Sequence, residues 1–195
     1  MPDEEGWIVF LAHMGFAAAP ATQVVGWWHE NRGFRSGTPD LRWLLAGAVL
    51  PDLVDKAVGQ ILFKTYFQNG RIFMHTFIVS LGIALVGVYR WRRAGDGRAL
   101  LLWAGVVSHL VLDRIWTEPT TAFWPALGPF MRHPSLRSLW GQILDYARSP
   151  LFWVEEAAGG VLLVTSLRFL GVRRWKYLED FLRRGTVPEL ASPAP

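Results

Sequence analysis

Six ionisable residues lie inside stretches of the chain that are otherwise apolar enough to cross a membrane. They are His13, Asp52, Asp55, His75, His109 and Asp113. Burying an Asp at the centre of a membrane helix costs roughly 2.5 kcal/mol or more, so six such groups need a shared explanation. Imidazole and carboxylate groups together are ligands that proteins use for divalent metal ions. The residue types therefore predict one polar site that binds a metal.

The spacing of these residues supports the same interpretation. His109 and Asp113 are four residues apart, hence on one helical face, as two ligands or as a ligand and the group that orients it. Asp52 and Asp55 also share a face, and two acids so close repel, or hold a proton between them, unless a cation lies there. His13 and His75, from other segments, complete the set. The ligands suit Zn²⁺ first, with Mn²⁺ or Fe²⁺ as alternatives, and two ions bridged by a carboxylate are an alternative to one.

Five apolar windows must position these groups. They cover residues 7–25, 43–62, 72–91, 99–116 and 151–171. Each is close to the roughly 20 residues that a helix needs to cross a bilayer. The second contains Pro51 and Lys56 beside its two acids, so we expect a kinked or partly re-entrant helix. The predicted fold is all-α, a polytopic helical membrane protein with about five transmembrane helices around the polar site.

Two segments lie outside the windows. The connection 117–150 is rich in Pro and aromatic residues, and we expect it to form short interfacial helices and the rim or lid of the site. The segment 172–195 begins basic and ends rich in Pro and Ala, which predicts a disordered cytoplasmic tail. We therefore divide the chain into a helical membrane domain, 1–171, and a tail, 172–195.

Composition excludes several classes of protein. Of the 195 residues 51% are hydrophobic and 11 are Trp, which is more apolar than a typical soluble domain. The chain has no Cys, so disulfides and thiolate metal sites are excluded. The net charge of +4 comes from Arg residues at the ends of apolar segments. That distribution favours the lipid bilayer as partner, and no nucleic acid is expected.

The basic residues also predict an orientation. With the N-terminus outside, the segments on the inner side carry thirteen Lys and Arg and those on the outer side carry five. The positive-inside rule therefore favours an outer N-terminus and a cytoplasmic C-terminus. At a rise of about 1.5 Å per residue, the six polar residues then lie near the outer face, and Glu156 on the fifth window joins them.

Four short motifs follow one another along the chain. They are Leu50-Pro51-Asp52-Leu53-Val54-Asp55-Lys56, then Gly70-Arg71 with His75-Thr76, then Ser108-His109-Leu110-Val111-Leu112-Asp113, and finally Trp124-Pro125. In this order the chain resembles the YdjM-type inner-membrane metal-dependent hydrolases over about residues 10–130, with an acidic residue before Gly159 as a further similarity. It departs from them at Phe77, where a Ser is expected.

The resemblance implies a location, a metal site and a reaction. The location is the inner membrane, and the metal site is built from His13, Asp52, His75, His109 and Asp113. A wider similarity to zinc-dependent phospholipase C and nuclease folds implies hydrolysis of a phosphoester.

Further residues have roles in the hydrolase hypothesis. Asp52 or Asp55, whichever is not fully ligating, is the candidate general base. Arg71 and Thr76 flank His75 and are candidates for contact with an anionic substrate. Glu118 and Glu156 are candidates for the rim of the site or for orienting a ligand. Apolar walls near the outer face favour an amphiphilic substrate such as a phospholipid or a lipid-linked phosphate.

Other interpretations of the same residues stay open at this point. A transporter or ion-binding membrane protein could use the His/Asp cluster as a transit site. A scaffold could use it only to hold helices together, with His109 and Asp113 as a buried pair. Asp55 and Lys56 could be interfacial charges that extend to water.

Overall fold

The computed structural model describes residues 10–32, 39–133, 138–172 and 175–185, and all its regular elements there are helical. The prediction of an all-α fold is therefore confirmed. The α-helices, in chain order, are α1 (Phe10–Arg32), α2 (Arg42–Lys56), α3 (Lys64–Phe67), α4 (Phe77–Ala94), α5 (Arg98–Leu112), α6 (Pro119–Ala122), α7 (Leu139–Arg148), α8 (Pro150–Phe169) and α9 (Trp175–Arg184). The predicted connection 117–150 thus contains α6 and α7.

Local interactions explain where the helices differ from the apolar windows. α2 continues directly as the π-helical segment Ala57–Leu62, so the polar second window is one continuous helical stretch. α4 begins at Phe77, later than predicted, because the hydroxyl of Thr76 accepts the amide of Val79 as an N-cap. α5 ends at Leu112, and Arg114 just beyond it has a left-handed backbone with φ of 50°.

The long helices alternate in direction along the chain. α1 and α8 run parallel, α2 and α5 run parallel, and α4 and α5 run antiparallel. The direction of α1 and α8 follows from the contacts Leu11–Glu156 and Gly15–Gly159. That of α2 and α5 follows from Leu44–Gly105 and Ala48–His109. That of α4 and α5 follows from Ser80–Trp103 and Gly87–Leu100. Consequently the starts of α1, α4 and α8 lie at the same end of the molecule as the ends of α2 and α5.

Glycines allow the paired helices to touch backbone to backbone. A Cβ at Gly105 on α5 would lie 2.1 Å from the carbonyl oxygen of Leu44 on α2. A Cβ at Gly15 on α1 would lie 2.0 Å from the carbonyl oxygen of Gly159 on α8. Small residues at such crossings are typical of helix pairs in membranes, where close van der Waals packing drives association.

The outward surface has the inverse pattern of a soluble protein. On α4 the residues Ile78, Leu81 and Leu85 are 54–61% exposed, whereas the buried residues are Ser80 and Gly87. α8 follows the same rule: it buries a Gly and a Ser and exposes Val side chains. Large exposed apolar surfaces indicate contact with membrane or partner.

One helix among the described residues, α8, is long and apolar enough to cross a membrane by length and composition. The first half of α1 and all of α5 are apolar but shorter. The number of five spans therefore stays a prediction.

The opposite end of the molecule is closed by α9. Phe181 of α9 is buried in a core cluster with Ala17 of α1, Leu44 of α2, and Leu170 and Val172 after α8. Part of the segment that the sequence assigned to a tail therefore packs on the helical domain. Residues 186–195, the Pro- and Ala-rich part of that segment, lie outside the described residues.

A glycine substitution tests the α2–α5 crossing. We expect Gly105→Ala to destabilise the protein by about 1–3 kcal/mol, because the added methyl group meets the backbone of α2. The apparent melting temperature in detergent measures the loss. Gly82→Ala on α4 is the matched control, since nothing lies within 4 Å of a Cβ there. Equal melting temperatures for the two variants would contradict the close crossing.

Candidate metal centre

The carboxylate of Asp55 organises the loop between α3 and α4. It accepts the backbone amides of Ile72 at 2.8 Å, Met74 at 3.0 Å and His75 at 3.2 Å. Its Oδ2 also accepts Nδ1 of His75 at 2.7 Å. Asp55 and His75 are both fully buried. One side chain of α2 thus determines the position of the loop and the orientation of its histidine.

Residues at both ends of this loop hold it in place. At the start, the amide of Arg71 donates to Oδ1 of Asn69 at 2.7 Å, and the Asn69 amide group donates to the carbonyl of Met131. At the end, the hydroxyl of Thr76 donates to the carbonyl of Phe73 while it caps α4. The Thr76 hydroxyl is thereby used within the backbone, and the cap does not depend on a Ser at position 77.

Two histidines, His75 and His109, direct their Nε2 atoms toward each other. Nδ1 of His75 donates to the Asp55 carboxylate, and Nδ1 of His109 donates to the carbonyl of Ala48 at 2.8 Å. In neutral rings these acceptors assign the tautomers, and both Nε2 atoms then carry lone pairs. The two Nε2 atoms are 3.2 Å apart. Lone pairs at this distance repel unless a proton or a cation lies between them.

Two carboxylate oxygens complete a group of four ligands. Oδ1 of Asp52 lies 3.8 Å from Nε2 of each histidine, and Oδ2 of Asp113 lies 3.5 Å from His75 and 3.8 Å from His109. All four ligand atoms lie within 4.8 Å of one another. Tetrahedral zinc, with bonds of about 2.0 Å, separates its ligand atoms by roughly 3.3 Å. Small side-chain movements would therefore enclose an ion, and the cluster can hold a metal.

The Asp52 carboxylate provides an independent test of this fit. Its Oδ2 pairs with the ammonium group of Lys56, one turn further along α2, whereas its Oδ1 is buried with no hydrogen-bond partner. A buried acceptor without a partner is costly, and a native example requires an explanation such as a bound ion. Because the unpaired oxygen faces the two histidines, a cation among these atoms would supply its missing partner.

The charge of the network indicates the valence of such an ion. With the histidines counted as neutral, the network contains two cations, Lys56 and Arg71, and four carboxylates, those of Asp52, Asp55, Asp113 and Glu118. The formal charge is therefore −2, and uncompensated charge in a buried site is strongly unfavourable. A divalent cation would make the network neutral, whereas one proton would leave it at −1.

Arg71 connects the buried ligands to the surface. Its Nε and Nη2 donate to Oδ2 of Asp113 at 3.1 and 3.0 Å, and its Nη1 donates to the carboxylate of Glu118. Asp113 is buried, whereas the side chain of Glu118 is 32% exposed. Glu118 therefore lies at the rim of the site, and Arg71 lies between the rim and the ligands.

The remaining predicted site residues surround the four ligands. Nε2 of His13 lies 3.1 Å from Oδ1 of Asp113, and its ring stacks on His109 at 4.2 Å between centroids. His13 is thus beside the four-ligand group instead of within it. The carboxylate of Glu156 accepts the amide of Leu11 at 3.0 Å, so it binds the backbone of α1.

Sequence reasoning missed two supporting residues. Lys56 was treated only as a group that could extend to water, yet it is buried against Asp52. The available signal was their i, i+4 spacing, which brings opposite charges together on a helix. Asn69 is the second, and its signal is that Asn followed by Gly is typical of a turn whose side chain bonds its own backbone.

Substituting Asp55 tests its role in orienting His75. We expect Asp55→Asn to weaken zinc binding by about 10- to 100-fold, the usual cost of losing a residue that orients a ligand. A titration against a competing chelator measures the affinity. The control is Asp96→Asn, which removes the same charge from the α4–α5 turn, where Asp96 pairs with Arg90. Unchanged zinc affinity in Asp55→Asn would contradict the role of Asp55 in orienting His75.

Comparison with known proteins identifies the family to which the chain belongs. The family model described as YdjM inner membrane protein matches residues 8–177, which include every residue of the cluster. A comparison with curated proteins and one with solved structures give no match. The resemblance inferred from the four sequence motifs is confirmed, and the family is one of inner membrane proteins. The chain belongs to the YdjM inner membrane protein family.

Proposed function

We propose that this protein is a membrane-embedded metal-dependent hydrolase that acts on a phosphoester in an amphiphilic substrate. The observation that carries the proposal is the convergence of four ligand atoms with an arginine that leads to the surface. Two histidine Nε2 atoms and two carboxylate oxygens face a common centre. Arg71 stands between Asp113 and the rim. A purely structural ion would not require a buried arginine on its exposed side.

Four residues are proposed to hold the ion. They are Asp52, His75, His109 and Asp113, with His13 and Arg71 orienting Asp113 through its two oxygens. Two neutral nitrogens and two carboxylates suit Zn²⁺, with Mn²⁺ or Fe²⁺ as alternatives. Such an ion, when bound, lowers the pKa of a water molecule toward 7 and polarises the group to be cleaved.

The two candidates for the general base differ in their surroundings. Asp55 already accepts four hydrogen bonds and is completely buried. Asp52 directs an oxygen without a hydrogen-bond partner at the cluster. Asp52 is therefore the candidate that remains for proton acceptance, in a state in which its Oδ1 is not fully engaged as a ligand, and Asp55 positions His75. Lys56 pairs with the other oxygen of Asp52, which fixes the orientation of the carboxylate.

An aromatic cap next to the site supports an amphiphilic substrate. We define the cap as Phe67, Phe73, Trp124 and Phe130, whose rings contact one another at 5.0–6.2 Å between centroids. Phe73 belongs to the loop that carries His75. The side chains around the cap are more than half exposed; they are Phe63, Tyr66, Phe123, Leu127 and Met131. An apolar surface beside a charged site suits a molecule with a lipid tail and an anionic head.

The proposed topology has five membrane passes with the N-terminus outside and the C-terminus cytoplasmic. The alternating helix directions support it, because they gather all the site residues at one end. The distribution of Lys and Arg favours an outer position for that end. The alternative of a transporter requires a path from the site to the other end, and along that direction α2 and α5 are in backbone contact at Gly47 and Gly105.

Metal content and hydrolysis together test the proposed function. We expect purified protein to contain a divalent metal, because four ligand atoms can hold the ion, and to hydrolyse a chromogenic phosphodiester, because Arg71 can bind the phosphoryl group beside it. His109→Ala should lose both properties, since His109 supplies a ligand nitrogen. Elemental analysis and initial rates are the two measurements. The exposed His133→Ala is the control and should keep both.

The outcomes separate the competing functions. Metal without hydrolysis, together with metal-dependent flux into vesicles, would favour the transporter. If no preparation of the protein contained metal, the metal site would be excluded, and the scaffold hypothesis, in which the cluster only holds helices together, would be favoured. Full metal occupancy in His109→Ala would exclude this residue as an essential ligand.

The absence of cysteine makes the topology directly measurable. We expect a membrane-impermeant maleimide to label Met131→Cys in intact cells, because the exposed Met131 lies at the predicted outer end. Arg184→Cys on α9 should react only after the membrane is permeabilised. The chain without substitution is an internal control, since it has no Cys. The opposite labelling pattern would reverse the proposed orientation.

A further inference from the structure

We propose that Glu118 occupies the anion-binding edge of Arg71 when substrate is absent, and that a phosphoryl oxyanion displaces it. This inference rests on the proposed function and gives it a recognition element. Glu118 then acts as an internal competitor that sets how strongly the site binds a phosphoryl group. Two charge-assisted contacts of one guanidinium group carry the argument, together with the exposure of its partners.

The donors of Arg71 are divided between a buried partner and a surface partner. Nε and Nη2 both bind Oδ2 of Asp113, which is 6% exposed. Nη1 binds Oε1 of Glu118, whose side chain is 32% exposed. A guanidinium group pairs with carboxylate and phosphate in the same way. An incoming oxyanion can therefore replace Glu118 without disturbing Asp113.

The attachment of Glu118 is weak apart from this ion pair. Its second oxygen, Oε2, has a long contact of 3.5 Å with the hydroxyl of Thr121. The residue follows the short turn Ile115–Thr117 and precedes Pro119, the first residue of α6. Asp55, in comparison, accepts three backbone amides in addition to its histidine. Glu118 can thus turn toward solvent while the rest of the site keeps its structure.

Electrostatics determines the direction of the effect. Arg71 is 12% exposed, so its charge is only partly screened by solvent. Glu118 neutralises part of the attraction that Arg71 exerts on an external anion. Replacing the carboxylate by the uncharged amide of Gln retains size and hydrogen bonding but removes the competing charge. An anion should therefore bind more tightly to Glu118→Gln than to the original protein.

Inorganic phosphate is the probe for this competition. The zinc-loaded protein in detergent is titrated calorimetrically with phosphate, and we expect Glu118→Gln to lower Kd roughly tenfold, about 1.4 kcal/mol. Arg71→Gln should weaken binding, and the double variant should show no gain from removing Glu118. Glu179→Gln is the matched control, because it removes the same charge from α9, where Glu179 pairs with Arg183. Glu118→Ala supplies a second variant if the amide misfolds.

The source of the phosphoryl group is tested in lipid nanodiscs. Nanodiscs of phosphatidylcholine with added phosphatidic acid compete with free phosphate if a lipid headgroup is the ligand. Nanodiscs of phosphatidylcholine alone measure competition by a phosphodiester headgroup. Competition by phosphatidic acid in Glu118→Gln above that in the original protein supports displacement of Glu118 by a lipid phosphate.

The failure of this inference is distinguishable from failure of the proposed function. Equal phosphate affinity in Glu118→Gln and Glu179→Gln would overturn the competition, even if the protein hydrolyses phosphoesters. A gain in Glu118→Gln that persists in the Arg71→Gln background would also overturn it, because the effect would not pass through Arg71. If Glu118→Gln binds phosphate more tightly only when Arg71 is present, and the protein has no hydrolytic activity, the competition would be supported and the hydrolase function excluded.

Discussion

The rest of the site depends on the burial of a single carboxylate, that of Asp55. An isolated ionised carboxylate is very costly in an apolar interior, and multiple hydrogen bonds are what compensate it. Here three backbone amides and one imidazole provide them. The same bonds position the loop that carries both His75 and Arg71. The requirement to solvate one charge thus creates a rigid support for several functional groups.

The sequence predicted the helices, and the residues that lie in the polar layer, better than it predicted the role of each residue in that layer. The helical stretch 42–62 and α8 agree with their windows, because apolar length is a local property. The spacing of Asp52 and Asp55 put both on one face but could not tell which faces the histidines. That distinction depends on the loop around Ile72, which approaches from another part of the chain. Likewise, nothing local relates Glu156 to the amide of Leu11.

A polar site among apolar helices needs close helix packing to position its ligands and cations to compensate its acidic charge. The glycines of α2 and α5 bring the backbones together, so that the carbonyl of Ala48 can accept Nδ1 of His109. Lys56 and Arg71 then compensate part of the acidic charge, and the remaining −2 matches one divalent ion. The close crossing of α2 and α5 thus determines the tautomer of the neutral His109 ring, and that tautomer directs the lone pair of its Nε2 toward the other ligand atoms.

The pairing of α1 with α8 has a consequence for the order in which the protein is assembled. The two helices are parallel neighbours, yet roughly 120 residues separate them, which a ribosome needs on the order of ten seconds to add. Throughout that interval Gly15 of α1 lacks the Gly159 backbone against which it packs in the folded protein. The contact of Glu156 with the Leu11 backbone cannot form before the end of that interval either. Helix α1, which precedes the other described helices in the chain, is therefore among the latest of them to contact its partner.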